Sequence, residues 1–216
     1  MGLSISVGLL YDQARNDPEG YEHHRRAFLR LGRALCAEGV RWEEPEVATP
    51  PSPHVFSGGF PYGHLTRLRR ILVLAGRGEP VAPAPRPDSE AWRRDLARID
   101  DETSLLASHL LCHADNAGYY LPVDFADPLF LAQESGVAGA QTVGSSHRLL
   151  AELDGLAPTL GIRLTEAHAS HPGPAAPAVS VDLSDDDPFG PEKWAWDQLR
   201  QACRASIAGG HAVVFH

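Results

Sequence analysis

Leu3, Ile5, Val7 and Leu9 alternate with small residues, and a period of two predicts an opening strand. The period then lengthens. Asp17-Pro18-Glu19 reads as a helix start, with Asp as N-cap, Pro at the first helical position and an acid in the first turn. Ala27, Phe28, Leu31 and Leu35 recur at helical spacing until Gly39 supplies a stop. Residues 40–63 are rich in Pro and Gly and read as extended structure and loop. A second helix is predicted over 64–75, with Leu65, Leu68, Leu72 and Ala75 on one face and Gly76 and Gly78 at its end. Glu79 to Pro87 holds four prolines and reads as a linker or surface loop. Asp88-Ser89-Glu90 caps a helix that carries Trp92, Leu96 and Ile99. Asp101-Glu102-Thr103 then caps another, running to about Ala114, with Leu106, His109, Leu110 and His113 on one face and Asn116-Ala117-Gly118 as its stop.

Tyr119, Leu121, Val123 and Phe125 alternate as in a strand, and Pro122 predicts an edge or a bulge. Ala140 to Val143 reads as a short strand leading into Gly144-Ser145-Ser146, which caps a helix with Leu149, Leu150, Leu153 and Leu156. A long Pro- and Asp-rich loop follows, then a helix over Glu192 to Ala208 and a closing strand over His211 to His216. No repeat and no regular strand–helix–strand spacing is present. The expected fold is a single α+β domain over residues 1–216, with a mixed or antiparallel sheet flanked by five to six helices and flexible loops near 76–88 and 167–191.

The net charge of −9 argues against a nucleic-acid binder, which would carry a basic face, and favours a protein partner with a basic face instead. The start lacks the basic segment of a signal peptide, and no run of about 18 apolar residues is present. The expectation is therefore a soluble, acidic, cytoplasmic protein away from the membrane. Cys36, Cys112 and Cys203 are odd in number and widely spaced, which predicts reduced thiols. Eighteen Arg against one Lys, with abundant Ala, Gly and Pro, points to a GC-rich genome.

Titratable groups are densest between Ser108 and Phe125. On a helix, His109 and His113 stand four apart on one face and can clamp a divalent metal such as zinc, with Asp115 or the C-terminal His216 as further ligand. Without a metal, His113 and Asp115 can act as an acid–base pair, with Tyr119, Tyr120 and Asp124 beside them. The structural alternative places one His in the core and leaves the other as a cation at a helix C-terminus. Gly144, Ser145 and Ser146 at a strand-to-helix junction can bind an anion through free N–H groups, or simply cap the helix.

Four blocks carry a resemblance: Met1 to Leu10, His113 to Phe125, Gly144 to Leu150, and Val214-Phe215-His216. In these the chain resembles a family of uncharacterised actinobacterial proteins of about this length, which implies a bacterial cytoplasmic setting. The reading favoured by these features is a protein-binding factor, immunity-like or accessory, because no complete catalytic signature is present. The competing reading is a metal-dependent or His/Asp-based enzyme acting on a small molecule or peptide at His109, His113, Asp115 and Tyr119.

Overall fold

The computed structural model describes residues 2–48, 54–137, 142–164 and 186–216. In chain order the elements are β1 (Gly2–Val7), α1 (Leu9–Asn16), α2 (Pro18–Ala37), β2 (Phe56–Pro61), α3 (Tyr62–Gly76), α4 (Glu90–Thr103), α5 (His109–Cys112), β3 (Gly118–Leu121), β4 (Val143–Ser145), α6 (Ser146–Leu156), α7 (Gly190–Gly209) and β5 (Val213–Phe215). The fold is α+β. Its one five-stranded sheet has the order β2-β1-β5-β3-β4 and is mixed: only β3 and β4 run parallel.

Strand alternation sends side chains to two opposite cores. Leu3, Ile5, Phe60, Tyr120, Val213 and Phe215 pack against apolar residues of α3, α6 and α7. Tyr119, Leu121, Val143 and Val214 face the other way, onto Leu10 of α1, Phe28, Leu31 and Leu35 of α2, and Trp42. Each of the fully buried leucines contributes about 1.5–3 kcal/mol relative to exposure, so this face, not helix propensity, is what holds α2 in place. The caps expected for α2 and α6 form: Asp17 accepts from Gly20 N–H at 3.0 Å and Ser145 from Arg148 N–H at 3.3 Å. Ser89, between Asp88 and Glu90, caps α4 by accepting from Trp92 N–H at 3.0 Å.

Three expectations are corrected. Asp101-Glu102-Thr103 does not start a helix but lies at the end of α4; the chain turns through Leu106 and Ser108 caps the single turn of α5. The strand at Tyr119 is not at an edge: it lies between β5 and β4 and stops at Leu121, so Pro122, lacking an N–H, falls just outside the ladder. Leu9, read as the last alternating position of the opening strand, instead begins α1 after Gly8 turns the chain at φ +70°. Of the two segments expected to be flexible loops, 76–88 packs Val81 on the core, and its Ala82 carbonyl accepts from Arg70 Nη1 at 2.8 Å. Most of 167–191 lies outside the described residues.

The edge of β2 is covered by α7. Trp194 Nε1 donates to the Gly59 carbonyl at 2.9 Å and Gly59 N–H donates to Gln198 Oε1 at 3.2 Å, so α7 occupies the free side of this strand at Gly59. No helix of the described residues is long and apolar enough to cross a membrane.

Candidate functional site

The dense segment from Ser108 to Phe125 folds into a buried brace. Arg69, on α3, is 8% exposed and reaches three partners: the Leu110 carbonyl at 2.9 Å, the His113 carbonyl and the Asp115 carboxylate. Glu152, on α6, fills the N-terminus of α5, accepting from Ser108 Oγ (2.9 Å), His109 N–H (2.7 Å) and Leu110 N–H (2.9 Å). A carboxylate there is favoured by the free N–H groups, although burial pushes its carboxyl up.

His109 is held in one tautomer. Its Nδ1 accepts from Ser145 N–H at 3.0 Å, so Nε2 carries the proton and donates to the Ala126 carbonyl at 3.1 Å. Burial lowers its pKa. His113 is fully enclosed, its ring stacked on Tyr120 at 4.1 Å and 11° and tilted against Phe215 at 4.4 Å. Burial pushes its pKa down to about 3, so it is neutral at physiological pH, and among the described residues no hydrogen-bond partner reaches its Nε2. Tyr120 donates to the His109 carbonyl at 3.0 Å, and burial lifts its phenol well above the ordinary value.

The expected catalytic residues are therefore scattered by this geometry. His113 and Tyr120 stack in one core, Tyr119 points to the opposite core against Phe28, and Asp115 and Asp124 each sit half-exposed in an ion pair, with Arg69 and with Arg148 (2.5 Å) respectively. The expected metal ligands do not converge. His113 is the C-cap of a one-turn helix, in extended backbone, so the four-residue helical spacing from His109 is lost. His216 follows Phe215 on the strand and so points to the other face, where its Nε2 meets Ser6 Oγ at 2.9 Å. Among the described residues no group of three His, Cys, Asp or Glu is placed to hold a metal ion. At the expected anion site, Gly144, Ser145 and Ser146 are buried. Ser145 Oγ donates to the Val123 carbonyl at 2.7 Å, Ser146 Oγ bonds Ser206 Oγ at 2.9 Å, and both hydroxyls already have protein partners.

What faces solvent here is charge. Between Arg98 and Arg148 the chain carries no Lys or Arg but seven carboxylates: Asp100, Asp101, Glu102, Asp115, Asp124, Asp127 and Glu134. This one stretch holds a charge of −7, most of the net −9. Composition averaged over the chain hides it; plotting charge along the chain finds it. The fold lends arginines to three of the seven, pairing Glu102 with Arg77 (2.8 Å), Asp115 with Arg69 and Asp124 with Arg148. Asp100, Asp101, Asp127 and Glu134 are exposed and in no ion pair among the described residues. Asp127 and Glu134 belong to the excursion that follows β3, which meets the outer side of β4 at Leu129. Leu129 and Val143 exchange both backbone hydrogen bonds there, at 2.9 and 2.8 Å.

A family model described as "Putative DNA-mimic protein" matches residues 1–215. No curated protein and no solved structure matches the chain. The match corrects two expectations. The immunity-like or accessory factor, and the His/Asp-based or metal-dependent enzyme beside it, are not what the matched family's description names. The partner expectation, a basic-faced protein with nucleic acid set aside, is corrected with it, because a family described by likeness to DNA removes the ground for setting nucleic acid aside. With the match covering all but the last residue, the chain belongs to this DNA-mimic family.

Proposed function

We propose that the protein occupies the DNA-binding face of a DNA-binding protein, presenting carboxylates where that face meets phosphates. The observation that carries this reading is the segregation of charge: seven carboxylates and no cation between Arg98 and Arg148, in a chain whose remaining acids and bases nearly cancel. A duplex offers about one negative charge per 1.7 Å of axis, and proteins built to bind it place Lys and Arg accordingly. The folded segment bearing Asp127 and Glu134, bridged to β4 at Leu129, supplies part of that pattern without the flexibility that an unfolded acidic tail would have to lose on binding. The buried brace fits this role as support. Arg69, His109 and Glu152 fix the ends of α5 and β3, from which the acidic excursion springs. We read the chain as one α+β unit in a bacterial cytoplasm, of actinobacterial type as its resemblance implies, and its Arg-rich, Lys-poor composition fits a GC-rich genome.

The test is capture on the immobilised protein from a bacterial extract, with elution by a short DNA duplex. Proteins that bind DNA, released by the duplex and held less strongly as salt rises, are the expected result. Captured proteins that ignore the duplex, or lack any DNA-binding activity, refute the reading.

A further inference from the structure

Four unpaired carboxylates match the charge on only about 7 Å of duplex axis, so charge alone makes a small footprint. The turn between α4 and α5 offers the missing contact. Leu105 is 68% exposed and Leu106 49%, and neither joins the apolar cluster of Val73, Ile99 and Leu111. Leu106 sits at φ +55°, in the left-handed region that favours glycine. The turn is closed by Leu105 N–H to the Glu102 carbonyl (3.1 Å) and Leu106 N–H to the Thr103 carbonyl (3.0 Å). None of these bonds needs a side chain at 106. Directly before the turn, Asp100, Asp101 and Glu102 crowd the last helical turn of α4, which holds no basic residue. Carboxylates at a helix C-terminus oppose the macrodipole. Two local rules of stability are broken at one exposed spot, and each departure presents something to solvent: an apolar tip and an acidic collar.

We propose that Leu105 and Leu106, collared by Asp100 and Asp101, dock on the part of a DNA-binding protein that reads the major groove. This rests on the DNA-mimic reading. A face that reads the major groove is basic where it meets phosphates and apolar where it meets thymine methyl groups. The leucine methyls stand in for the second, the carboxylates for the first. The collar separates this occupant from a plain hydrophobic partner, because Asp100 and Asp101, exposed within six residues of the leucines, favour a partner that carries cations beside its apolar contact.

The test compares the wild-type chain with Leu106→Gly, Leu105→Ala and the pair Asp100→Asn/Asp101→Asn, each immobilised, using the duplex-released proteins as probe. Glycine relieves the left-handed position, so Leu106→Gly is expected to melt no lower than wild type while binding falls about tenfold or more. Leu105→Ala loses binding similarly, and the Asn pair binds more weakly with a shallower dependence on salt. If both leucine variants hold the duplex-released proteins as well as wild type, the tip is refuted and the mimic reading stands. If the wild-type chain yields no duplex-released protein, both fall. Sedimentation showing a dimer that Leu106→Gly dissolves assigns the tip to a second copy instead. Flotation with phosphatidylcholine vesicles that the same substitution abolishes assigns it to a membrane. Either result overturns the proposal.

Discussion

Acid reaches the core of this protein through His113. Its ring lies between Tyr120 and Phe215, and burial holds its pKa at about 3, against 6.5 for an exposed imidazole. Between those values the unfolded chain binds a proton that the folded chain refuses. Unfolding then takes up a proton, so stability is complete above about pH 6.5 and is lost as the pH falls toward 3. The loss approaches about 1.4 kcal/mol per pH unit inside the window, so moving from pH 6.5 to about 4.5 removes roughly 2–3 kcal/mol. That is a large share of the roughly 5–15 kcal/mol by which a domain is stable. His109, also lowered by burial, adds a loss of the same sign. Glu152 works in the opposite sense, because its raised carboxyl takes up a proton in the folded state first. The substitution His113→Phe isolates the one contribution: it keeps a ring against Tyr120 and Phe215 and removes the titrating nitrogens. Urea unfolding followed by the fluorescence of the four tryptophans, at several pH values from 7 to about 4.5, measures both proteins. The stability of the variant should fall with pH by roughly 2–3 kcal/mol less than that of wild type. Parallel profiles would refute the argument.

Removing the guanidinium with Arg69→Met leaves two buried carbonyls, of Leu110 and His113, without donors, and should lower stability by about 2–5 kcal/mol in thermal unfolding. Asp115→Asn, at the half-exposed end of the same arginine, should cost under about 1 kcal/mol, and an equal cost for both would contradict the brace. A Cβ at Gly144 would lie 2.3 Å from the Tyr120 ring, so Gly144→Ala should destabilise by about 1–3 kcal/mol or fail to fold; a melting point equal to wild type counts against the packing described. Asp127→Asn with Glu134→Gln should leave the melting point nearly unchanged and weaken retention of duplex-released proteins, with a shallower salt dependence. Unchanged retention would remove this segment from the interface.

Local chemistry made much of the scaffold readable. Asp17 before Pro18, Ser89 before Glu90 and Ser145 before Ser146 mark helix starts because each side chain can reach an N–H three residues on, whatever surrounds it. The closing strand was readable from Val213, Val214 and Phe215, but not its place in the middle of the sheet, since pairing with β1 and β3 joins residues some two hundred and one hundred positions away. The helix expected from Asp101 to Ala114 failed for a related reason. Its leucine spacing is helical, yet Leu106 takes a left-handed turn, and Arg69 and Glu152 from distant helices supply the hydrogen bonds that let the chain leave the helix.

The candidate chemistry divided in the same way. Sequence by itself determined the helix caps, the alternation that sends Tyr119 and Tyr120 to opposite faces, and the long stretch with seven acids and no base, because these depend on neighbours along the chain. Tertiary structure alone decided that the two histidines lie in the core, that His216 turns away from His113, and which carboxylates keep their charge unpaired. Those outcomes depend on which arginine each carboxylate meets and on how much water each ring loses, and both are set by contacts between segments far apart in the chain.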